Sequence, residues 1–305
     1  MEINGKRDFT VRIPGSTSNL GPGFDTVSAA LSLYLTLGVE RIAAETIEWP
    51  NDWGLKDSEN MILVSLRQAC QWLGIEATGL RFTVNNEIPL KRGLGSSAAA
   101  IIGGIKVAEH LAGRQLDDKE IFGIAYPLEK HPDNLAASLL GGWAISRTEG
   151  SLMEAERLPT RLDCRFVVAI PETVVSTERA RSILPSQYGI EDVVFNLQRS
   201  TLLVHAVTSG RKDLLSGATQ DRLHQSYRAS LVPGLPAVLA REALPEHVEG
   251  SLLSVTVSGS GSTVLAIADG HCEELGRWMV ATFGKEGIEA EFRILDLETR
   301  GATVV

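Results

Sequence analysis

The sequence predicts an α+β protein of two units. First, apolar residues recur with strand-like and helix-like spacing along the chain, without the strict strand–helix alternation of a doubly wound sheet. Second, 305 residues suffice for two ordinary domains sharing a cleft. Third, Arg147 to Thr160 is polar and charge-rich with no clear stripe, which places a boundary near residues 150 to 165. The expected division is residues 1–160 and 161–305.

The elements follow in order. Phe9 to Ile13 alternates apolar and polar side chains, a strand. Asp57 and Ser58 are suited to cap a helix whose stripe is Ile62, Leu66, Ala69 and Leu73, ended by Gly74. Leu80, Phe82 and Val84 alternate again. From Ala98 to about Gly113, small residues suit a tightly packed helix. Arg165 to Ile170 is apolar and β-branched, a buried strand. Val193, Leu197, Val204 and Val207 fit one face of a helix before Gly210. Leu253, Val255 and Val257 form a strand entering a glycine-rich turn, Ser258 to Thr263. Val264 to Ala268 is the next strand, and Cys272, Leu275, Met279 and Phe283 stripe the next helix.

Composition narrows the function. A net charge of -9 disfavours nucleic acid or an anionic membrane, whose phosphates it would repel. It leaves room for a small phosphorylated ligand, because a local nest of N–H groups binds phosphate whatever the global charge. The apolar run Ala98 to Ile105 is too short to span a bilayer. MEINGKRDFTV at the start contains no apolar signal core. Cys70, Cys164 and Cys272 are odd in number, with no metal spacing, and are expected to be reduced thiols in a cytoplasm.

Four stretches carry chemistry. Gly93-Leu94-Gly95-Ser96-Ser97 lies between a predicted strand and a predicted helix. The unpaired N–H groups of a helix N-terminus suit a polyphosphate, and glycine lets the backbone approach it. A tight turn with a helix cap would look the same. No GxxxxGK[ST] occurs, so the common P-loop is excluded. Pro14 to Asp25 is dominated by Gly, Pro, Ser, Thr and Asn, with Asn19 and Asp25 able to face a ligand. Leu128 to Asn134 crowds Glu129, Lys130, His131, Asp133 and Asn134 together, as a surface turn also could. The fourth, Ser258 to Thr263, is equally consistent with a hairpin.

Together these stretches resemble the GHMP small-molecule kinases. Their phosphate motif, P-x-x-x-G-L-G-S-S-A, is matched by Pro89 to Ala98. Within that superfamily the chain is most similar to the homoserine kinase branch. The similarity lies in STSNLGPGFD at Ser16 to Asp25, HPDNLAASLLGG at His131 to Gly142, STERAR at Ser176 to Arg181 and DRLHQSYR at Asp221 to Arg228. It covers nearly the whole chain. It departs where Ser262 stands for the family's usual proline, which would loosen the final turn. It departs again at Lys130, where glycine is usual, adding a cation beside the triphosphate.

The resemblance implies an N-terminal nucleotide-binding domain, a C-terminal ferredoxin-like domain and ATP-dependent phosphorylation of the L-homoserine hydroxyl for threonine biosynthesis. It also implies a homodimer. For ATP it implies Asn60 near the adenine, and Pro89, Lys91, Arg92, Gly93, Leu94, Gly95, Ser96, Ser97 and Ala98 around the phosphates. Ser97 and Glu129 would hold Mg2+, a hard ion suited to oxygen ligands. Asn134 and Lys130 are the catalytic candidates, with no general base assigned. Asp25 and Asp133 would take the substrate ammonium, and Arg181 and Arg228 its carboxylate. Asn19 and His131 would hold the remaining polar edges, and Thr263 the floor.

Overall fold

The computed structural model describes residues 8–50 and 59–305. Two antiparallel-based sheets organise it. The first contains β1 (Phe9–Asn19), β2 (Gly23–Arg41), β3 (Ile47–Glu48), β4 (Leu80–Asn86), β5 (Trp143–Glu149), β6 (Leu152–Leu158) and β11 (Thr303–Val304). Its spine runs β11-β1-β2-β4-β3. The 19-residue β2 serves two neighbours on one edge: Leu35 to Arg41 pair with β4, and Val27 to Ala29 pair with β5. The second sheet contains β7 (Arg165–Pro171), β8 (Leu252–Val257), β9 (Val264–Ala268) and β10 (Ala290–Leu295). Its order, β10-β7-β9-β8, is the ferredoxin-like arrangement of four antiparallel strands.

Helices α2 (Ser96–Ala112) and α4 (Pro132–Leu140) pack on β1 and β2 of the first sheet, α3 (Asp118–Ala125) on β6, and α1 (Met61–Leu73) against α2. Ile13 and Leu37 of that sheet meet Ile101, Ile102 and Ile105 of α2 in one fully buried cluster. Gly104 permits a close approach of α2 to α1, since a Cβ there would lie 2.2 Å from Ser65 Oγ and 2.3 Å from the Ile62 carbonyl. The second sheet divides its side chains by the two-residue period of a strand. Phe166, Val168 and Ile170 join the first core, whereas Val167 and Ala169 join a second core with Leu275, Met279 and Phe283 of the helix Cys272–Lys285.

Several local expectations change. The predicted cap residues Asp57 and Ser58 lie outside the described residues; α1 begins at Met61, and Asn60 Oδ1 accepts from the Ile62 and Leu63 N–H groups at 3.1 and 3.5 Å. Pro14 to Asn19, read as part of a loop, continues β1. Residues 143–158, partly read as a featureless boundary, form the β5–β6 hairpin. Its polarity reflects exposure of one face, where Arg147 pairs with Glu154. In α6 (Ile190–Ser209), Leu197 is 63% exposed, and the buried face is Asn196, Leu203, Ala206 and Val207. Asn196 displaces an apolar residue because Asp221 Oδ1 and the Arg222 N–H satisfy its amide at 2.7 and 2.9 Å. No helix among the described residues is long and apolar enough to cross a membrane. The three cysteines are free thiols.

Candidate active site

A cleft of about 400 Å³ opens where six chain segments meet: the β1–β2 turn, the start of α2, the start of α4, the 258–261 turn, the helix α5 (Thr177–Ser182) with its preceding loop, and the helix Gln225–Ala229 that carries Arg228. Gly95 caps α2 with φ 73°, so the helix presents unpaired N–H groups to this space. The two loop glycines answer to their neighbours as well as to any ligand. A Cβ on Gly93 would lie 2.1 Å from the Ser258 carbonyl, and one on Gly95 2.1 Å from Ser16 Oγ. Ser258 Oγ lies 2.7 Å from the Gly93 carbonyl and 2.8 Å from Thr17 Oγ1, joining the loop, β1 and the 258–261 turn. Ser262, expected to loosen that turn, is fully buried, and the turn closes through Gly261 N–H to Ser258 O at 2.9 Å and Ser258 N–H to Thr263 O at 3.0 Å.

The start of α4 supplies the acidic wall. Pro132 fixes the first helical residue, so His131, Asp133 and Asn134 project from one turn. Asn134 is oriented at both ends: Ser16 Oγ donates to its Oδ1 at 2.9 Å, and its Nδ2 donates to Ser18 Oγ at 3.0 Å. Asp133 is only 3% exposed and accepts the Asn134 N–H at 2.7 Å. Burial, reinforced by the charge of Asp25, pushes its carboxyl up to about 6. Glu129 Oε1 lies 2.5 Å from His131 Nδ1 and accepts the His131 N–H at 3.0 Å, and the side-chain bond raises the imidazole pKa.

The opposite wall is basic. Arg181 Nη2 donates to Asp25 Oδ1 at 2.6 Å, each side chain being 32% exposed. Arg181 Nε has no hydrogen-bond partner among the described residues, although it is buried. Arg228, 3% exposed, donates from Nη1 to the Gly259 carbonyl at 2.8 Å. Burial, and then the nearby Arg181 charge, lower its pKa to about 10, so it remains a cation at neutral pH.

Of the residues predicted for the site, Asn19, Asp25, Lys91, Gly93, Gly95, Ser96, Ser97, Ala98, Glu129, His131, Asp133, Asn134, Arg181 and Arg228 line this one cleft. Asn19 does so with its amide already used: Nδ2 donates to Gly259 O and Oδ1 accepts from Asp25 N–H. The structure does not bring Asn60, Pro89, Arg92, Leu94, Lys130 or Thr263 into its walls. Asn60 spends Oδ1 on the cap of α1. Arg92 turns to the Glu172 carbonyl, and Leu94 packs into the core. Lys130 is exposed, and Thr263 is fully buried with its Oγ1 unpaired among the described residues. Ser18, Ser176, Thr177, Glu178, Gly259 and Ser260 also line the cleft; they lie in stretches marked by the sequence but were given no individual role.

Residues 60–142 match the family model described as the GHMP kinases N terminal domain. A homoserine kinase of Persephonella marina is 38% identical over 96% of this chain and 97% of its own. One from Desulfitobacterium hafniense is 38% identical over 97% of this chain and 99% of its own. In fold, the chain is similar to the crystal structure of homoserine kinase from Cytophaga hutchinsonii, with a TM-score of 0.84 and 23% identity over the whole of both chains.

Proposed function

The chain belongs to the homoserine kinases of the GHMP kinase family, and on that premise we propose that its cleft transfers the γ-phosphoryl group of ATP to the hydroxyl of L-homoserine, giving O-phospho-L-homoserine for threonine synthesis. One observation carries this reading: the N-terminus of α2 and the set Asp25, Asp133, Arg181 and Arg228 face the same small cleft. A helix N-terminus accepts polyphosphate. Two carboxylates and two guanidiniums accept a zwitterion. Phosphoryl transfer asks mainly for positioning and charge neutralisation, which these groups provide without a general base.

In this reading the N–H groups of Gly93 to Ser97 cradle the phosphates, and Lys91 adds a cation beside them. Asp25 and Asp133 hold the substrate ammonium, while Arg181 and Arg228 hold its carboxylate. Asn134, fixed by Ser16 and Ser18, orients the hydroxyl near the transferring group. Ser97 and Glu129 would hold Mg2+. The donor set fits a hard cation, since an exposed hydroxyl and a carboxylate line one cleft and His131 engages only one carboxylate oxygen. Bound there, the ion would neutralise charge on the triphosphate. The nucleotide unit is assigned to residues 1–160 and the second unit to 161–305, with β11 returning to pair with β1. A cytoplasmic homodimer belongs to the same reading and rests on the family resemblance.

The test is ADP release measured over L-homoserine, L-threonine, mevalonate and 3-aminopropanol. Homoserine should have the highest kcat/KM. Preference for mevalonate, which has no ammonium, would remove the purpose assigned to Asp25 and Asp133.

A further inference from the structure

His224 is fully buried beside the cleft rather than in its wall, and it carries none of the roles assigned above. Its surroundings are specific. Nε2 lies 2.7 Å from the Gly21 carbonyl, a group that only accepts, so Nε2 carries the hydrogen. In the neutral ring Nδ1 is then an acceptor, and Arg228 Nη1 approaches it at 3.4 Å. The imidazole also stacks on Phe24, with centroids 5.0 Å apart. The guanidiniums of Arg228 and Arg181 lie 5.0 and 5.2 Å from the same phenyl ring. Phe24 directly precedes Asp25, and Gly21 belongs to the turn that presents it.

The backbone leading to His224 is itself fixed. Asp221, with its side chain fully buried, accepts the N–H groups of Leu223, His224 and Gln225 at 3.2, 2.9 and 2.7 Å. The ring thus sits on a rigid turn and bridges two separate pieces of the substrate wall. On one side is Arg228; on the other is the turn carrying Asp25.

We propose that His224 is a positioning residue for substrate recognition: its Nδ1 orients the Arg228 guanidinium, and its Nε2–H fixes the Gly21 turn, so that the carboxylate- and ammonium-binding groups keep one spacing. The proposal rests on the assignment of Arg228 and Asp25 to homoserine. Nε and Nη1 of Arg228 are taken up by Ala180, Gly259 and His224, leaving Nη2 among the described bonds for an incoming carboxylate. Loss of the imidazole acceptor lets the guanidinium rotate, and its misplacement should weaken homoserine without touching the phosphate loop.

A charged imidazole would have no Nδ1 lone pair and would face Arg228 as a like charge. Desolvation lowers the pKa of His224 to about 4, with the Arg228 charge acting the same way and Asp221, the Gly21 carbonyl and Asp25 opposing. The ring therefore stays neutral throughout the working pH range.

Two measurements test the inference. In the wild type, nitrogen-15 NMR of labelled histidine should show one ring as the Nε2–H tautomer with no titration between pH 5 and pH 8; titration of His224 near its ordinary pKa overturns the proposal. The second is a cycle of His224→Gln, which keeps a donor for Gly21 but has no atom at the Nδ1 position, with Arg228→Lys. His224→Gln should raise the homoserine KM about tenfold, the loss of one charged hydrogen bond, and leave the ATP KM unchanged. On Arg228→Lys it should add less than about twofold. Equal rises in both KM values, or full additivity, would make His224 a structural residue only. A homoserine KM unaltered in Arg228→Lys alone would instead refute the substrate assignment on which the proposal stands.

Discussion

Replacing Asp133 by Asn should make the protein more stable and a worse enzyme. Asp133 is 3% exposed, and its carboxyl is shifted from 3.8 up to about 6, chiefly by burial and next by the Asp25 charge. A shift of that size corresponds to roughly 3 kcal/mol against the charged form in the folded state. Asn removes the charge, and its carbonyl still accepts the Asn134 N–H now held at 2.7 Å. Its new N–H groups need acceptors, so a gain of about 1–3 kcal/mol at pH 7.5 is expected after that cost. The sign with pH is defined. A raised carboxyl pKa penalises folding above about 6, and the penalty fades as pH falls from about 6 toward 3.8, where the unfolded chain also takes up the proton. The stability gap between variant and wild type should therefore be widest at pH 7.5 and shrink by pH 5. Urea unfolding at both pH values measures it, and the difference between the two proteins cancels the other titrating groups.

The same charge is the reason the residue would be kept acidic. On the proposed assignment, an ammonium docking against Asp133 would replace lost hydration with an ion pair, so substrate binding would relieve the cost of burial. Homoserine KM should rise in the wild type as pH drops below about 6, and should be both higher and less pH-dependent in Asp133→Asn. A variant no more stable than wild type at pH 7.5, or a gap that persists unchanged at pH 5, would refute the reasoning.

Other expectations are as direct. Ser97→Ala and Glu129→Gln should each lower kcat about a hundredfold or more with the fold intact; near-normal turnover in both would sink the magnesium assignment. Arg181→Ala should raise the homoserine Kd by roughly tenfold or more and leave the ATP Kd unaltered, as read by isothermal titration with each ligand. Gly93→Ala should cost about 2 kcal/mol or more, since φ is 76° and the new Cβ would strike the Ser258 carbonyl. Gly113→Ala, with φ 61° and open space, should cost only about 1 kcal/mol, and equal losses in thermal unfolding would discount the Ser258 contact.

The legible parts of this molecule were those with a local signature. Strands β4, β7, β8 and β9 and helices α1 and α2 announce themselves through periodicity and glycine stops, within a few residues of their observed ends. Strand β2 was legible too and went unassigned: from Leu31 to Leu37 buried leucines alternate with half-buried Ser32, Tyr34 and Thr36, whereas its first half, Val27 to Ala30, is buried on both faces between β1 and β5 and has no such period. Leu197 was assigned inward on spacing alone, whereas the inward position belongs to Asn196, whose hydrogen bonds to Asp221 and Arg222 are set by a segment 25 residues away. Most phosphate-loop and acidic residues were legible as motifs. The buried imidazole of His224 was not, because its significance arises only when the Gly21 turn and Arg228 close around it.

Pairing within the cleft also governs which ligands it tolerates. Asp25 and Arg181 already neutralise one another, so on the proposed assignment a ligand with a single charge would separate them and satisfy only one. An amino alcohol would then leave Arg181 without its carboxylate partner, and a hydroxy acid would leave Asp25 without its cation. A zwitterion supplies both charges and exchanges one pair for two. Because each of these side chains is 32% exposed, water softens the loss. About 1–2 kcal/mol for each stranded charge is a fair scale, which is roughly tenfold in kcat/KM. Buried Arg228 and Asp133, at 3% exposure each, have no such relief, so discrimination should fall more heavily on them. Selectivity for an amino acid over its half-charged analogues is then a consequence of where the cleft is wet and where it is dry.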